Sequence, residues 1–370
     1  MKAPSIVLGS AHCISAVGEG IEQSFARMRN GGTASALRDG IGTRPATLGM
    51  IAEELLPSGP HRIHRLLDRC LTPVLDQLKP LPHERWACVL ATTKGDVAAL
   101  VNGDPLASAL PLVAEHVRVR CGFKEAPITI SLACASGTAA IITACSAIER
   151  GHFDHAIVIG ADVLSRFVVD GFAALFALDA EPCKPFDAQR AGINLGEACA
   201  IVVVSRDPSR VPDPLGTWLG GAIAHDANHI SGPSRTGEGL MRAVNGAMRM
   251  AEAAPIDIGA INAHATGTDY NDAMESIAYE RCGLSAIPVS GYKGWFGHTL
   301  GAAGVLETVL ALRALNEGLV LRTEGLGTAG VPGKVNVIDT DTPARSNVLL
   351  KTSSGFGGIN AALLLQANQR

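Results

Sequence analysis

Short, wholly apolar runs that alternate with helix-like segments most constrain the fold of this chain. Residues 156–160 and 198–205 are two such runs, and an alanine-rich, helix-like segment from Cys134 to about Glu149 precedes the first. Strands that are buried on both faces carry continuous apolar sequences, as in parallel sheets covered by helices. The pattern therefore predicts an α/β protein.

The same order of strand, turn and helix recurs in the second half of the sequence. A strand is expected before the turn at 293–298, a helix over about 300–315, and strands at 348–350 and 361–365. The segment 206–214, which contains prolines and aspartates, is the natural junction between the two halves.

Cys134 lies in a segment of small residues, 131–140, directly behind the apolar run 128–130. This arrangement predicts a strand that delivers a thiol to a tight turn, with a helix starting at the sulfur. The free N–H groups and partial positive charge of a helix N-terminus favour a thiolate. The thiol alone is weak evidence of a nucleophile, because most lone intracellular cysteines are buried small hydrophobic residues.

Two histidines strengthen the indication of a catalytic site. His264 follows an apolar stretch at 256–263, and His298 follows another at 287–290; each lies in a glycine-bounded turn before a helix-like segment. Parallel sheets of α/β proteins carry their functional groups at the ends of strands. The positions of the two histidines therefore favour a functional role for them over an ordinary core or surface role.

These segments together resemble the elongating β-ketoacyl-acyl-carrier-protein synthases of fatty acid and polyketide assembly. The resemblance includes Cys134 in Ala-Cys-Ala-Ser-Gly and His264 in Asn-Ala-His-Ala-Thr-Gly-Thr. It also includes Lys293, five residues before His298 in Gly-His-Thr-Leu-Gly-Ala-Ala-Gly, and the glycine-rich tail at 354–360. The matched segments occur in order along nearly the whole chain.

The resemblance implies a thiolase-like five-layer αβαβα fold built from two related halves, with the active site between them. Residues 1–207 would form the N-terminal half, which carries Cys134. Residues 208–370 would form the C-terminal half, which carries His264 and His298.

The resemblance also implies the chemistry, a decarboxylative Claisen condensation. Cys134 would hold an acyl group as a thioester. His264 and His298 would donate hydrogen bonds to the malonyl thioester during loss of carbon dioxide, and the carbanion would attack the acyl group. The backbone N–H groups of Cys134 and Phe356 would form the oxyanion hole.

Supporting roles follow from the same resemblance. Lys293 and Glu275 would form a buried ion pair behind the histidines; the alternative is two surface side chains. Thr266 and Thr268 would bind the phosphopantetheine arm; the alternative role is capping of the following helix, and the two roles are compatible. Phe356 would act as a gate between the acyl pocket and the malonyl entrance, with core packing as its alternative role.

The expected partner is acyl carrier protein, which is acidic and requires a basic docking face. Arg62, Arg65 and Arg69 have the spacing i, i+3 and i+7, which places them on one face of a helix. The alternative is an ordinary solvated basic face. A homodimer or a heterodimer with a related ketosynthase-like subunit is expected, and no metal or other cofactor is predicted beyond substrates carried on phosphopantetheine.

Composition agrees with a cytoplasmic enzyme. With 370 residues, of which 47% are hydrophobic, the chain can bury a large core. Aromatic residues make up only 4% and the net charge is -4, which disfavours nucleic acid as a partner. The nine cysteines form no Cys-x-x-Cys pair, which indicates a reducing compartment, and no apolar run is long enough to span a membrane.

Other functions are open at this point. A thiolase would need a second cysteine near the C-terminal glycine turn, but the last cysteine is Cys282. A chain-length-determining partner subunit usually lacks the nucleophile, whereas Cys134 is present. A serine hydrolase is disfavoured because the chain has no Gly-x-Ser-x-Gly motif. Ser354 stands where the family commonly has a phenylalanine, which favours a specialised pathway over housekeeping fatty acid synthesis.

Overall fold

A computed structural model of the chain describes residues 5–78, 85–101, 103–229 and 232–368. Ten α-helices occur in these ranges: α1 (Ile21–Asn30), α2 (Arg62–Gln77), α3 (Val97–Val101), α4 (Leu110–Cys121), α5 (Ser136–Glu149), α6 (Arg166–Ala174), α7 (Glu238–Met250), α8 (Asp269–Arg281), α9 (Lys293–Phe296) and α10 (Ala303–Asn316).

Seventeen strands are formed by the described residues. They are β1 (Val7–Ser15), β2 (Gly18–Glu19), β3 (Ala36–Arg38), β4 (Ala46–Gly49), β5 (Trp86–Ala91), β6 (Ile128–Ile130), β7 (His155–Asp162), β8 (Leu195–Gly196), β9 (Ala198–Ser205), β10 (Pro214–His225), β11 (Ala260–Asn262), β12 (Pro288–Ser290), β13 (Leu319–Val320), β14 (Asn336–Val337), β15 (Thr342–Pro343), β16 (Val348–Gly355) and β17 (Ile359–Ala367).

Two sets of five strands share one pairing pattern. In the first set the spatial order is β6-β5-β7-β9-β1, and in the second it is β12-β11-β16-β17-β10. In both, the first two pairings are parallel and the last two are antiparallel. The identical pattern confirms the prediction of two related halves.

The two halves stack into five layers. Helices α2 and α4 cover the outer face of the first strand set, and α7 and α8 cover the outer face of the second. Helices α5 and α10 pack against each other and contact strands of both sets, so they form the central layer. This order of helix, sheet, helix, sheet and helix is the predicted fold class.

Glycine permits the close approach of the two central helices. A Cβ atom at Gly304 would lie 2.1 Å from the backbone nitrogen of Thr138, and one at Gly137 would lie 2.8 Å from the carbonyl oxygen of Gly301. Any side chain there would push α5 and α10 apart. The crossing therefore holds the N-termini of the two helices together, and the site is built at this point.

The predicted boundary between the halves, at residues 207 and 208, falls at a short 3₁₀ turn, Pro208–Arg210, between β9 and β10. Strand β1 pairs with both β9 and β10, so the sheet is continuous across this point. The division into 1–207 and 208–370 stays a prediction, and residues 1–4 and 369–370 lie outside the described residues. No helix in the described ranges has the length and apolarity to cross a membrane.

Candidate active site

The three predicted reactive side chains meet between the two halves. The donor atoms of Cys134, His264 and His298 all lie within 4.8 Å of one another. The two imidazole rings are 5.2 Å apart and nearly perpendicular, at 84°. All three side chains are buried, with exposures of 7%, 3% and 1%.

A tight turn presents Cys134 in front of α5. Ala133 has a φ of 47°, in the left-handed region that residues other than glycine and asparagine rarely occupy. The Ser136 hydroxyl accepts a hydrogen bond from the Leu132 N–H at 2.8 Å and donates to the Ala133 carbonyl, which stabilises the turn. The helix begins two residues after the sulfur, close to its predicted start.

Burial dominates the electrostatics of the Cys134 thiol. It raises the pKa to about 11, although the charges of Lys94 and Lys293 and a hydrogen bond from the Phe356 backbone N–H act in the opposite direction. The resting side chain is therefore a thiol near neutral pH. The helix N-terminus does not produce the resting thiolate that the sequence suggested.

This raised pKa predicts a steep pH dependence of Cys134 alkylation. The rate with iodoacetamide should rise about tenfold per pH unit between about pH 7 and about pH 10, because the thiolate is the reactive form. Peptide mass spectrometry at several pH values measures the rate, and Cys134→Ala gives the background. A rate that levels off below about pH 8 would contradict the thiol assignment.

Glu275 holds the turn that carries His264. Its two carboxylate oxygens accept hydrogen bonds from the backbone N–H groups of His264 at 2.8 Å and Ala265 at 2.6 Å. The hydroxyl of Tyr279 and the side-chain amide of Asn271 also donate to Glu275, each at 2.9 Å. The Thr352 hydroxyl is a fifth donor, at 3.3 Å. A buried carboxylate with five donors fixes the turn and thus the direction of the imidazole.

Both active-site imidazoles are neutral and ready to donate. Burial, followed by the charge of Lys293, holds the pKa of His264 and of His298 well below its usual value. Nδ1 of His264 and both ring nitrogens of His298 are buried without a hydrogen-bond partner among the described residues. Such atoms are costly to bury unless a ligand satisfies them, so they mark a place where a ligand could form hydrogen bonds.

The predicted ion pair between Lys293 and Glu275 is wrong. Lys293 Nζ lies 2.7 Å from Glu307 Oε1 and also donates to the His264 carbonyl. Glu275 instead binds backbone N–H groups, as described above. Both side chains are nevertheless buried and lie behind His264, as predicted.

Sequence reasoning missed Glu307 and Lys351, which are fully buried beside Lys293. Lys351 Nζ contacts Glu307 Oε2, so one carboxylate binds two ammonium groups. One sequence pattern could have revealed these two residues, because each is a charged side chain within a largely apolar segment. Glu307 lies in the apolar helix α10, and Lys351 follows Val348-Leu349-Leu350 in a strand.

A cavity of about 470 Å³ opens over the reactive groups. Its lining includes Cys134, His264, His298, Thr266, Thr268 and Phe356. The hydroxyls of the two threonines are 2.8 Å apart. Thr268 precedes α8, but its side chain makes no capping hydrogen bond, so its hydroxyl is directed to Thr266 and the cavity. This position suits the predicted contact with a pantetheine arm, which stays a prediction.

Phe356 lies at the mouth of this cavity, with 39% of its surface exposed. Its ring stacks on that of Phe172 with a centroid distance of 5.7 Å. Gly357 and Gly358, with φ values of 85° and 80°, follow it in the turn between β16 and β17. The exposure excludes simple core packing and is compatible with the predicted gate.

The prediction that Arg62 lies on a basic docking face is wrong. This side chain is only 7% exposed, and its Nη2 lies 2.6 Å from Oε1 of the buried Glu197. Arg69 is on the surface but binds both oxygens of Glu19, at 2.6 and 2.9 Å. Docking stays a prediction for Arg65 and Arg69, while Arg62 is part of the core.

Replacement of Arg62 by methionine should therefore destabilise the fold without weakening carrier binding. We expect a loss of about 2 kcal/mol in the free energy of unfolding, because Glu197 would keep a buried charge with fewer hydrogen bonds. Urea denaturation measures this loss, with Arg69→Met as an exposed control. A higher KM for carrier protein with unchanged stability would instead place Arg62 in a docking surface.

Comparison with known proteins agrees with this geometry. The family model "Beta-ketoacyl synthase, N-terminal domain" matches residues 89–209, and "Beta-ketoacyl synthase, C-terminal domain" matches residues 215–326. The chain belongs to the β-ketoacyl synthase family. The two matched ranges include all three reactive residues and are separated by residues 210–214.

Curated β-ketoacyl synthases have similar sequences. "3-Oxoacyl-[acyl-carrier-protein] synthase 2" of Rhizobium meliloti is 33% identical over 270 residues, which cover 69% of this chain and 64% of the relative. The putative mitochondrial enzyme of Schizosaccharomyces pombe is 32% identical, with coverages of 68% and 63%. The matched segments thus span less than two thirds of the length of these relatives.

Solved structures match over nearly the whole chain. A structure of a ketosynthase in complex with its chain length factor from Xenorhabdus doucetiae has a TM-score of 0.87 and 28% identity, and the match covers 99% of this chain and 98% of that one. The ishigamide ketosynthase/chain length factor has a TM-score of 0.85 and 25% identity, with coverages of 99% and 100%. These β-ketoacyl synthase relatives share the five-layer fold.

Proposed function

We propose that this β-ketoacyl synthase joins an acyl group held on Cys134 to a malonyl group on acyl carrier protein, in fatty acid or polyketide chain elongation. The observation that carries the proposal is the buried triangle of one thiol and two neutral imidazoles with unpartnered nitrogens at the base of a cavity. The family membership supports the same reaction.

In the first step, the Cys134 thiol loses its proton and the sulfur attacks the carbonyl carbon of an acyl thioester. A C–S bond forms, and the electron pair of the carbonyl moves to oxygen. The backbone N–H groups of Cys134 and Phe356 stabilise this oxyanion. When the carbonyl re-forms, the carrier thiolate leaves and takes up a proton, and the acyl group remains on Cys134.

In the second step, a malonyl thioester enters beside the two histidines. The bond to its carboxylate breaks, carbon dioxide leaves, and the electron pair forms an enolate. N–H donors on His264 and His298 stabilise the enolate oxygen, because both rings are neutral and have buried nitrogens free for the substrate. The enolate carbon then attacks the acyl-Cys134 carbonyl and forms the new C–C bond. The Cys134 thiolate leaves and takes up a proton, which restores the resting thiol.

The cavity lining provides the remaining roles. Thr266 and Thr268 hydrogen-bond the pantetheine arm, and Phe356 separates the acyl side from the malonyl side. Acyl carrier protein is the proposed partner, as the names of the curated relatives indicate for those enzymes. The chain acts in the cytoplasm, with an identical or related subunit as its second partner.

The reaction needs no metal, although one thiol and two imidazoles have the composition of a zinc site. We expect that prolonged treatment with EDTA leaves the condensation rate unchanged. Metal analysis of the treated enzyme checks that metal was removed. A rate that falls with EDTA and returns with zinc would contradict this expectation.

The direct test of the proposal is product analysis with purified components. The protein is incubated with a panel of acyl-carrier proteins and malonyl-carrier protein, and intact-mass spectrometry follows the carrier. We expect a β-ketoacyl product two carbons longer than the primer, together with carbon dioxide. Absence of product with all primers, with this chain alone and with a co-expressed sibling subunit, would overturn the proposal.

A second candidate function is that of a chain-length-determining partner subunit. The two solved structures that contain a ketosynthase with its chain length factor favour this arrangement. The intact cysteine and two histidines favour the catalytic subunit over the partner. If condensation required a sibling subunit but survived Cys134→Ala in this chain, the partner role would be correct.

A further inference from the structure

Two buried lysines share a single buried carboxylate behind the candidate active site. Lys293 Nζ binds Oε1 of Glu307 at 2.7 Å, and Lys351 Nζ binds Oε2. All three residues have 0% exposure. Within these three residues the positive charge exceeds the negative charge by one, which is an expensive arrangement in a protein interior. The charge of the buried Glu275 also acts on Lys351, but Glu275 makes no ion pair with it.

The excess charge lies directly beneath the turn that carries His264. Lys351 lies on β16, opposite Asn262 at the end of β11, where the turn begins. Its Nζ is 3.5 Å from the Ala263 carbonyl oxygen, and Lys293 Nζ donates to the next carbonyl, that of His264. The two ammonium groups thus bind consecutive carbonyls of the catalytic turn.

Other charged and titratable groups around this cluster have defined partners. Helix α8 contributes Glu275, which accepts the His264 and Ala265 N–H groups, and Tyr279, which donates to Glu275. On the His298 side, Lys94 adds a further positive charge. Glu307 is therefore the only carboxylate among the described residues that makes an ion pair with either buried lysine.

We propose that Lys351 is a positioning residue whose buried ammonium group, held on Glu307 and the Ala263 carbonyl, keeps His264 and His298 in their neutral form. The inference rests on the proposed function for its catalytic meaning. Loss of carbon dioxide requires that the malonyl carboxylate is not paired with a cation. An imidazolium at this place would stabilise the carboxylate and oppose its departure.

The electrostatics of the site agree with this role. The positive charge of Lys351 contributes to the lowered pKa of both histidines, although burial and the charge of Lys293 act more strongly, as do His298 on His264 and Lys94 on His298. Burial lowers the pKa of Lys351 itself to about 8, so most of its charge is present at neutral pH. Lys293 with Glu307 alone would form a balanced pair, so Lys351, which shares the same carboxylate, brings one further positive charge.

The test is a titration of the histidine rings in the full chain by NMR with isotope-labelled histidine. His264→Ala and His298→Ala variants assign the two signals. In Lys351→Met, both titration midpoints should rise by about one pH unit, because a nearby positive charge no longer opposes protonation. Lys351→Arg retains the charge and should keep the midpoints near those of the unaltered protein.

The variant should fold, because Lys351→Met leaves the balanced pair of Lys293 and Glu307. Lys351→Gln provides a second neutral variant if methionine packs badly, and Leu350→Val is a control for altered packing on β16. Unchanged histidine midpoints in the folded neutral variants would overturn the inference, as would an equal rise in Leu350→Val.

Measurements of condensing activity distinguish a failure of this inference from a failure of the proposed function. If the protein condenses substrates, the acid limb of its rate–pH profile should move upward in Lys351→Met by the same interval as the midpoints. If the histidine midpoints moved but the acid limb of the rate–pH profile stayed in place, the protonation of these histidines would not control catalysis. That result would overturn the proposal. Raised midpoints in a protein without condensing activity would support the electrostatic role while the proposed function fails.

Discussion

Cys134→Ala should abolish condensation while decarboxylation of malonyl-carrier protein continues. The condensation rate should fall by about 10⁴-fold or more, because the acyl group loses its only covalent attachment point and no second route to a thioester is available. His264 and His298 still line the cavity, and they have ring nitrogens without a hydrogen-bond partner among the described residues. They should still stabilise the enolate that forms when carbon dioxide leaves.

Two measurements on the same variant separate these steps. Intact-protein mass after incubation with acyl-carrier protein reports acyl loading, which should occur in the unaltered chain and not in Cys134→Ala. The mass of the carrier shows whether malonyl has become acetyl. The matched control is Cys145→Ala, a change at a buried cysteine within α5 that does not line the cavity.

The opposite result has a clear meaning. An acyl adduct on Cys134→Ala, mapped to another residue, would show that the cavity thiol is not the nucleophile. Loss of both acyl loading and decarboxylation, with an unchanged fold, would mean that the thiol and the two imidazoles act as one unit. The separation of roles inferred from the geometry would then be wrong.

Sequence patterns predicted the elements that bring the reactive groups together. The apolar run 198–205 is strand β9 with the predicted bounds, and the predicted helix over about 300–315 is a 3₁₀ turn, Leu300–Ala302, followed by α10. Cys134 and His298 were each placed before a helix. Because such turns occur at strand ends in α/β folds, local sequence was sufficient to locate them.

Side-chain contacts between elements that are distant in sequence were not predictable in the same way. The second half of the sequence contains many acidic residues, Glu275 and Glu307 among them, and sequence spacing does not show which carboxylate faces Lys293. The choice depends on how α8 and α10 pack on β11, a tertiary contact without local signature. Arg62 was misplaced for a related reason, because its helical spacing gives a face but not which face is buried against Glu197.

Glu307→Gln should be among the most destabilising single changes in the protein. Lys293 and Lys351 would then be two fully buried ammonium groups without a counter-charge, and an amide oxygen satisfies only part of their hydrogen bonding. Removal of one partner of a buried ion pair costs about 3–5 kcal/mol. Urea denaturation should show this loss, while Glu115→Gln, at an exposed pair with Arg118, should leave the midpoint unchanged.

The double variant Glu307→Gln/Lys351→Met tests the cause of this loss. If the damage comes from uncompensated positive charge, removal of one lysine should restore part of the stability, and the two effects should not add. Additive losses would show instead that Glu307 matters through packing.

The pH dependence of stability is an independent test of the interaction between Lys351 and Glu307. The pKa of Lys351 in the folded protein is about 8, below the ordinary value of 10.5, so the unfolded chain binds more protons between these values. Stability should therefore rise with pH across this window. In Glu307→Gln the pKa of Lys351 in the folded protein should fall further, because the carboxylate no longer raises it. The rise in stability should therefore begin at lower pH. A stability curve of unchanged shape would mean that the Lys351 ammonium group does not depend on Glu307.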